Sequence, residues 1–227
     1  MTIYKTASES SQQRYYFDAF YKKERKKVYF YELNDFKNRI GETVEKIVLS
    51  IGNGNKSPIF ENQIISDISF EGIKKVDSRR KVVLDCHSLP FKKDSIDIIF
   101  GWQVVHHLSL DKFLSQVKFT LKSGGKCVFV DNGYSPHWRI IRNLFPKKKN
   151  EPAEDMSEDL IYQKIEEYGF KKFDAKRYNF FAYLFSKTFR ELGINLSINI
   201  LGEIDQFFSR WEWFRRNLRN MVWSFEK

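Results

Sequence analysis

From Lys46 onward the chain alternates short apolar runs with longer stretches whose apolar positions recur at helical spacing. The runs are KIVLSI, QIISDI, KVVLD, IDIIFGW and KCVFVD. They are largely continuous in apolar character, the pattern of strands buried on both faces, and the stretches between them supply the crossovers that parallel neighbours require. Between the last two runs lies LDKFLSQVKFTLKSGG, where Leu110, Phe113, Leu114, Val117 and Leu121 share a helical face and Gly124 and Gly125 are the expected stop. The pattern predicts an α/β domain built on a mostly parallel sheet.

Upstream, SSQQRYYFDAFYKKERKKVYFYELNDFKNRI carries aromatic residues at helix-like spacings, Tyr16, Phe20 and Tyr21 among them, and predicts one or two amphipathic helices capping the domain. Downstream, FPKKKNEPAEDMSEDL is rich in charge and proline and predicts an exposed loop. Ser157 then caps a helix running to Tyr168 and ending at Gly169. Beyond it, AKRYNFFAYLFS predicts a strand, EIDQFFSRWEWFRRNLR a helix and NMVWSFEK a last strand.

Composition narrows the class. The chain has 227 residues, 42% of them hydrophobic, enough for one domain with its own core. It shows neither a charged-then-apolar leader nor an apolar run approaching the roughly 20 residues that span a bilayer, so a soluble, cytoplasmic protein is expected. Cys86 and Cys127 lie in apolar, strand-like surroundings with no Cys/His cluster, which predicts buried free thiols and no metal site. The net charge of +10 suits an anionic partner, whether a phosphorylated metabolite, a nucleic acid or a membrane surface. The cations are spread over YKKERKK, FPKKKN, YGFKKFDAKR and FRRNLR, so charge alone selects none of these.

Candidate chemistry gathers at strand ends. Gly52 and Gly54, in VLSIGNGNKS, follow the first core run, where an open α/β sheet binds ligands and a glycine lets backbone N–H groups approach them. Asp67 ends the second run, placed to accept hydrogen bonds from a ribose diol, and Asp85 ends the third, within reach of an adenine amino group. A dinucleotide fingerprint would need glycine or alanine where Ser57 stands, which argues against a nicotinamide cofactor.

From VLSIGNGN through SDIS, LDCHSLPFKKDSIDIIFGWQVVHHL and LKSGGKCVFVDN, the sequence resembles class I S-adenosylmethionine-dependent methyltransferases of the small-molecule type. The most specific piece is Asp85 with Leu89-Pro90-Phe91, followed by Asp97 and then His106-His107-Leu108. The resemblance implies a Rossmann-like seven-stranded sheet with helices on both faces, an antiparallel last strand and S-adenosylmethionine as cofactor. It implies one methyltransferase domain over residues 1–227, with a helical cap at 1–45, a cofactor-binding core at 46–132 and a substrate-side insertion and C-terminal sheet hairpin at 133–227. It also implies roles for Gly52, Asn53 and Gly54 beside the methionine moiety, Asp67 and Ile68 at the ribose, Asp85 and Cys86 along the adenine, and Gly101, Trp102 and Gln103 near the sulfonium. The chain departs from the family pattern at Ser50, where an acid is usual, and at Lys56, where a third glycine is usual. Lys56 is expected to turn toward the methionine carboxylate; the alternative is an abandoned cofactor site.

Methyl transfer to a hydroxyl needs alignment and a base. His106 and His107 follow the fourth core run and Asp131 closes the fifth, so an imidazole and a carboxylate can meet over the acceptor, as similar positions do in sugar O-methyltransferases of the resembling family. His106 is the candidate base, Asp131 its orienting partner and His107 the further catalytic candidate, although His107 is expected to pack against the crossover helix. Tyr134, His137 and Trp138 are candidates to line the acceptor pocket. RWEWFRRNLR mixes Trp and Arg as a single-strand nucleic-acid surface does, although a helix with Trp and Phe in the core and Arg outside explains it better. The expected function is O-methylation of a small hydroxylated metabolite, a sugar or other anionic compound. The alternatives are an RNA methyltransferase and an inactive binding subunit.

Overall fold

The computed structural model describes residues 30–133, 157–178, 198–215, 218 and 220–227. Helix α1 (Phe30–Ile40) precedes β1 (Val48–Ile51), β2 (Gln63–Asp67), α2 (Phe70–Lys74), β3 (Lys81–Val83) and β4 (Ile96–Trp102). A single 3-10 turn (Val105–His107) leads to α3 (Leu110–Thr120) and β5 (Leu121–Asn132). Then come α4 (Glu158–Glu167), β6 (Lys171–Tyr178), α5 (Ile198–Phe208), α6 (Glu212–Arg215) and β7 (Asn220–Glu226). The strands form a seven-stranded sheet in the order β3-β2-β1-β4-β5-β7-β6. Only β7 runs against its neighbours, pairing antiparallel with both β5 and β6.

Burial on both faces explains why the core runs read as continuously apolar. Leu49, Ile51, Ile99, Cys127, Phe129 and Trp223 face one side, together with Leu114 and Val117 of α3 and Ile161 and Ile165 of α4. Val48, Ile98, Phe100, Val128, Val130 and Val222 face the other, beneath Phe36 and Ile40 of α1. Phe36 stands edge-on to Phe100 and to Trp102, with centroids 5.6 and 5.4 Å away, which seats α1 across the centre of the sheet. Arg39 adds a polar clamp, donating to Ser224 Oγ at 2.8 Å and to the Asp174 carbonyl at 3.0 Å. Tyr16, Phe20 and Tyr21 lie outside the described residues, as do Tyr134, His137 and Trp138.

Three element boundaries differ from those the sequence predicts. The crossover helix ends at Thr120 and not at the glycine pair: Leu121, fully buried, already pairs with Ile96, and both glycines belong to the irregular start of β5. The strand expected over AKRYNFFAYLFS begins earlier, at Lys171, and is described to Tyr178. It is an edge strand carrying Lys171, Lys172, Asp174 and Lys176, charged as exposed edge strands are, so it lacks an apolar signature. The late helix expected over Glu203–Arg219 is displaced to Ile198–Phe208 and broken before Glu212. Ser209 Oγ donates to the Gln206 carbonyl at 2.8 Å, the local bond by which serine competes with the helical ladder. Over the described residues the helix is therefore interrupted between Phe208 and Glu212.

Asp97, part of the most specific sequence piece, is structural. Its carboxylate accepts from Lys122 Nζ at 2.8 and 2.9 Å and from the Ile47 N–H at 2.8 Å, tying the starts of β1, β4 and β5 together. Burial works against its ionisation, but these donors hold its carboxyl below the usual carboxylate range. Asp97→Ala should lower stability by about 1–2 kcal/mol at neutral pH in urea unfolding. A depressed carboxyl contributes stability above its unfolded pKa of about 3.9 and loses it as pH falls, so the gap between wild type and variant should close in acid.

Candidate functional site

The C-terminal ends of β1, β2 and β4, with the turn after β3, surround a hollow of about 530 Å³. Its shape begins with two glycines. A Cβ on Gly52 would lie 2.2 Å from Val104 Cγ2, and one on Gly101 would lie 2.5 Å from Val104 Cγ1, so the bare backbones of both strand ends receive one valine between them. Gly52 has φ +60°, a second reason for glycine. The chain turns sharply past this contact: Gln103 adopts φ +58°, and its N–H donates to the Val130 carbonyl at 2.6 Å. Gly54 differs, because nothing lies within 4 Å of where its Cβ would be, leaving its backbone open toward the hollow.

Among the residues the sequence nominates, Gly52, Asn53, Gly54, Lys56, Asp67, Ile68, Cys86, Trp102, Gln103 and His107 line the hollow. Gly101 is buried against Val104 and does not reach it. Asp85 is set back: β3 stops at Val83, and Asp85 Oδ1 accepts from the His87 N–H at 2.8 Å and from His87 Nδ1 at 3.0 Å. His87 then stands on the wall where Asp85 was expected, and its Nε2 accepts the Ser109 N–H at 3.0 Å at the start of α3. Sequence reasoning missed His87; an Asp-x-His spacing after a strand is the signal that could have found it. Burial, with Asp85 and Asp67 nearby, pushes the Cys86 thiol up to about 12, so it is a protonated wall group and not a nucleophile. Both cysteines are free.

A buried polar network aims Lys56. Ser50, 1% exposed, accepts from Gln63 Nε2 at 2.7 Å, and its carbonyl accepts from Ser66 Oγ at 2.7 Å. Asn53, 7% exposed, donates through Nδ2 to the Lys56 carbonyl at 2.6 Å and accepts the Lys56 N–H at 3.2 Å. The lysine stem enters the hollow, and its ammonium reaches the Trp102 carbonyl at 3.5 Å. Burial lowers its pKa to about 8, against the opposing pull of Asp67 and Asp131. Asp67 itself accepts the Gly54 N–H at 2.7 Å and the Ser69 N–H at 2.8 Å, which fixes its rotamer and leaves lone pairs for a ligand.

Beyond Gln103 sits the nominated base pair. Asp131 is fully buried, and its Oδ1 accepts from His106 Nδ1 at 2.7 Å, while Oδ2 has no hydrogen-bond partner among the described residues. With the proton on Nδ1, His106 Nε2 keeps its lone pair. His107 was expected to pack against the crossover helix. It is exposed on the rim of the hollow, its ring 3.9 Å from that of His106.

This arrangement is an open α/β sheet with a polar crevice at the C-terminal ends of its parallel strands, the place where such sheets bind ligands. Residues 49–129 match the family model described as "Methyltransferase domain". That match runs from β1 to β5, the part of the sheet whose strand ends surround the hollow. Among solved structures it is similar to a SAM-dependent methyltransferase from Archaeoglobus fulgidus, at 16% identity and a TM-score of 0.59, covering 93% of this chain and 100% of that one. It is also similar to phosphoethanolamine N-methyltransferase 2 of Haemonchus contortus in complex with S-adenosyl-L-methionine, at 14% identity and TM-score 0.56, covering 92% of this chain and 59% of that one. A third is geranyl diphosphate C-methyltransferase of Streptomyces coelicolor A3(2), at 11% identity and TM-score 0.51, covering 80% of this chain and 72% of that one. At such identities the likeness is one of fold. A search of curated proteins finds no match to the sequence. No helix among the described residues is long and apolar enough to cross a membrane.

The Val104 contact yields a test. Gly52→Ala should cost about 2–4 kcal/mol through overpacking at a positive φ and abolish S-adenosylhomocysteine binding. Adding Val104→Ala should restore part of that stability in thermal unfolding. Gly54→Ala should cost only about 1 kcal/mol, from its φ, and weaken binding by a larger factor than that loss implies.

Proposed function

We propose that this domain transfers the methyl group of S-adenosylmethionine to a hydroxyl of a small acceptor, with His106 as the base. The observation that carries the reading is the 2.7 Å bond from His106 Nδ1 to a fully buried Asp131, because it leaves Nε2 as the nitrogen able to take a proton. The bound cofactor supplies an electrophilic methyl group on a sulfonium. Asp67 accepts hydrogen bonds from the ribose hydroxyls, Ile68, 55% exposed, and Cys86 give apolar surface to the base, and Lys56 pairs with the carboxylate of the methionine end. His106 takes the acceptor proton at Nε2 as the acceptor oxygen attacks, and Asp131 holds the ring and stabilises the imidazolium that forms. The two carboxylates and the half-buried lysine fit a cofactor that carries both an ammonium and a carboxylate.

An RNA acceptor draws less support. Lys46, Arg79, Arg80 and Lys81 line another hollow, of about 540 Å³, beside Ile47 and Asn62 at the N-terminal ends of the first three strands. That basic surface lies at the opposite end of the sheet from the cofactor crevice. A hydroxylated metabolite small enough to enter beside His107 suits the geometry better.

His106→Ala should leave the S-adenosylhomocysteine dissociation constant unchanged and reduce turnover on the acceptor by roughly 10²–10⁴. Asp131→Asn should reduce turnover in the same direction. Wild-type turnover by His106→Ala would remove the base role. Calorimetry tests the cofactor fit directly: S-adenosylhomocysteine should bind and NAD should not.

A further inference from the structure

The lysine in the crevice has a consequence for which ligand the site prefers. S-adenosylmethionine and its product S-adenosylhomocysteine share the adenosine and the amino-acid end, and differ by one methyl group and one positive charge on sulfur. Contacts to the ribose, the base, the ammonium and the carboxylate therefore largely cancel in the ratio of their affinities. What survives is the interaction of the sulfonium with charges fixed in the pocket.

Lys56 is such a charge. The buried Ser50–Gln63 contact and the Asn53 bridge hold its backbone, and its ammonium lies inside the hollow near the Trp102 carbonyl, at the end of the crevice next to Gln103. The groups that face it are Asp67 from the end of β2 and Asp131 from the end of β5. The other titratable groups on the wall are Glu71 of α2, Cys86 and His87 after β3, and His107 of the 3-10 turn. The carboxylates of Asp67, Asp131 and Glu71 would favour a sulfonium there, and Lys56 alone of the described lysines and arginines on this wall would oppose it. We infer that Lys56 sets the charge selectivity of the cofactor site, weakening the sulfonium cofactor relative to the thioether product.

The inference rests on the cofactor assignment and extends it from which molecule binds to which of its two forms is favoured. An effect of about tenfold is expected, the scale of two like charges in a partly solvated pocket. Protonation adds a signature, because the side chain titrates near pH 8 and its influence fades as pH rises.

Calorimetry with S-adenosylmethionine and S-adenosylhomocysteine, on wild type, Lys56→Gln, Lys56→Met and Lys56→Glu, tests this. At pH 7 the ratio of the cofactor's dissociation constant to the product's should fall about tenfold in Lys56→Gln and in Lys56→Met. It should fall further in Lys56→Glu, which also loses more than tenfold in product affinity as the carboxylate meets a negative charge. Between pH 7 and pH 9.5 the wild-type ratio should approach that of Lys56→Gln; the variant corrects for the ligands' own amino groups, which titrate in the same range. Ratios within twofold of wild type in both neutral variants would overturn the inference. If neither ligand binds the wild type, the cofactor assignment fails, and the inference with it.

Discussion

Val104 enters between Gly52 and Gly101, and the geometry of the whole crevice follows from that contact. Neither glycine position could carry a Cβ, since it would fall well inside the valine's van der Waals envelope. With both bare, the turn after β1 and the loop after β4 close directly onto each other. The chain then leaves β4 through a positive-φ residue at Gln103, whose N–H finds the end of β5. This sets the 3-10 turn carrying His106 and His107 at the C-terminal ends of β4 and β5, so that His106 meets Asp131. One packing contact thereby connects the cofactor crevice to the proposed base.

Charge in the site is arranged around burial. Asp131 has no exposed surface, and a buried carboxylate is tolerated only with strong partners. The His106 ring supplies one at Oδ1, while Oδ2 is buried without a hydrogen-bond partner among the described residues. Lys56 faces the same carboxylate from across the crevice together with Asp67. Ser50 makes this possible: a neutral hydroxyl in that buried position can join Gln63 and Asn53, and Asn53 then anchors the lysine's backbone. The changes at positions 50 and 56 thus belong to one hydrogen-bonded unit.

Much of the fold was legible in the sequence because the core strands are buried on both faces, so Val48–Ile51, Gln63–Asp67 and Ile96–Trp102 announce themselves as apolar runs. The α4 cap was equally plain, with Ser157 Oγ accepting the Leu160 N–H at 3.2 Å. Elements whose stability comes from their neighbours were misplaced. The charged edge β6 has no apolar pattern of its own, and α5 breaks where a serine and packed aromatic rings override helical propensity.

The sequence by itself determined the set of strand-end residues, since residue type and spacing along one chain decide what stands at the ends of parallel strands. Which of those residues line the crevice was decided only by tertiary structure. Gly101 and Asp97 read as motif positions, yet one makes room for Val104 and the other ties three strand starts. His87 replaces Asp85 on the wall because Asp85 is drawn into a turn by its neighbour. The pairing of His106 with Asp131, and the direction of Lys56 into the crevice, depend on contacts between segments far apart in the chain, and no local pattern records how distant segments meet.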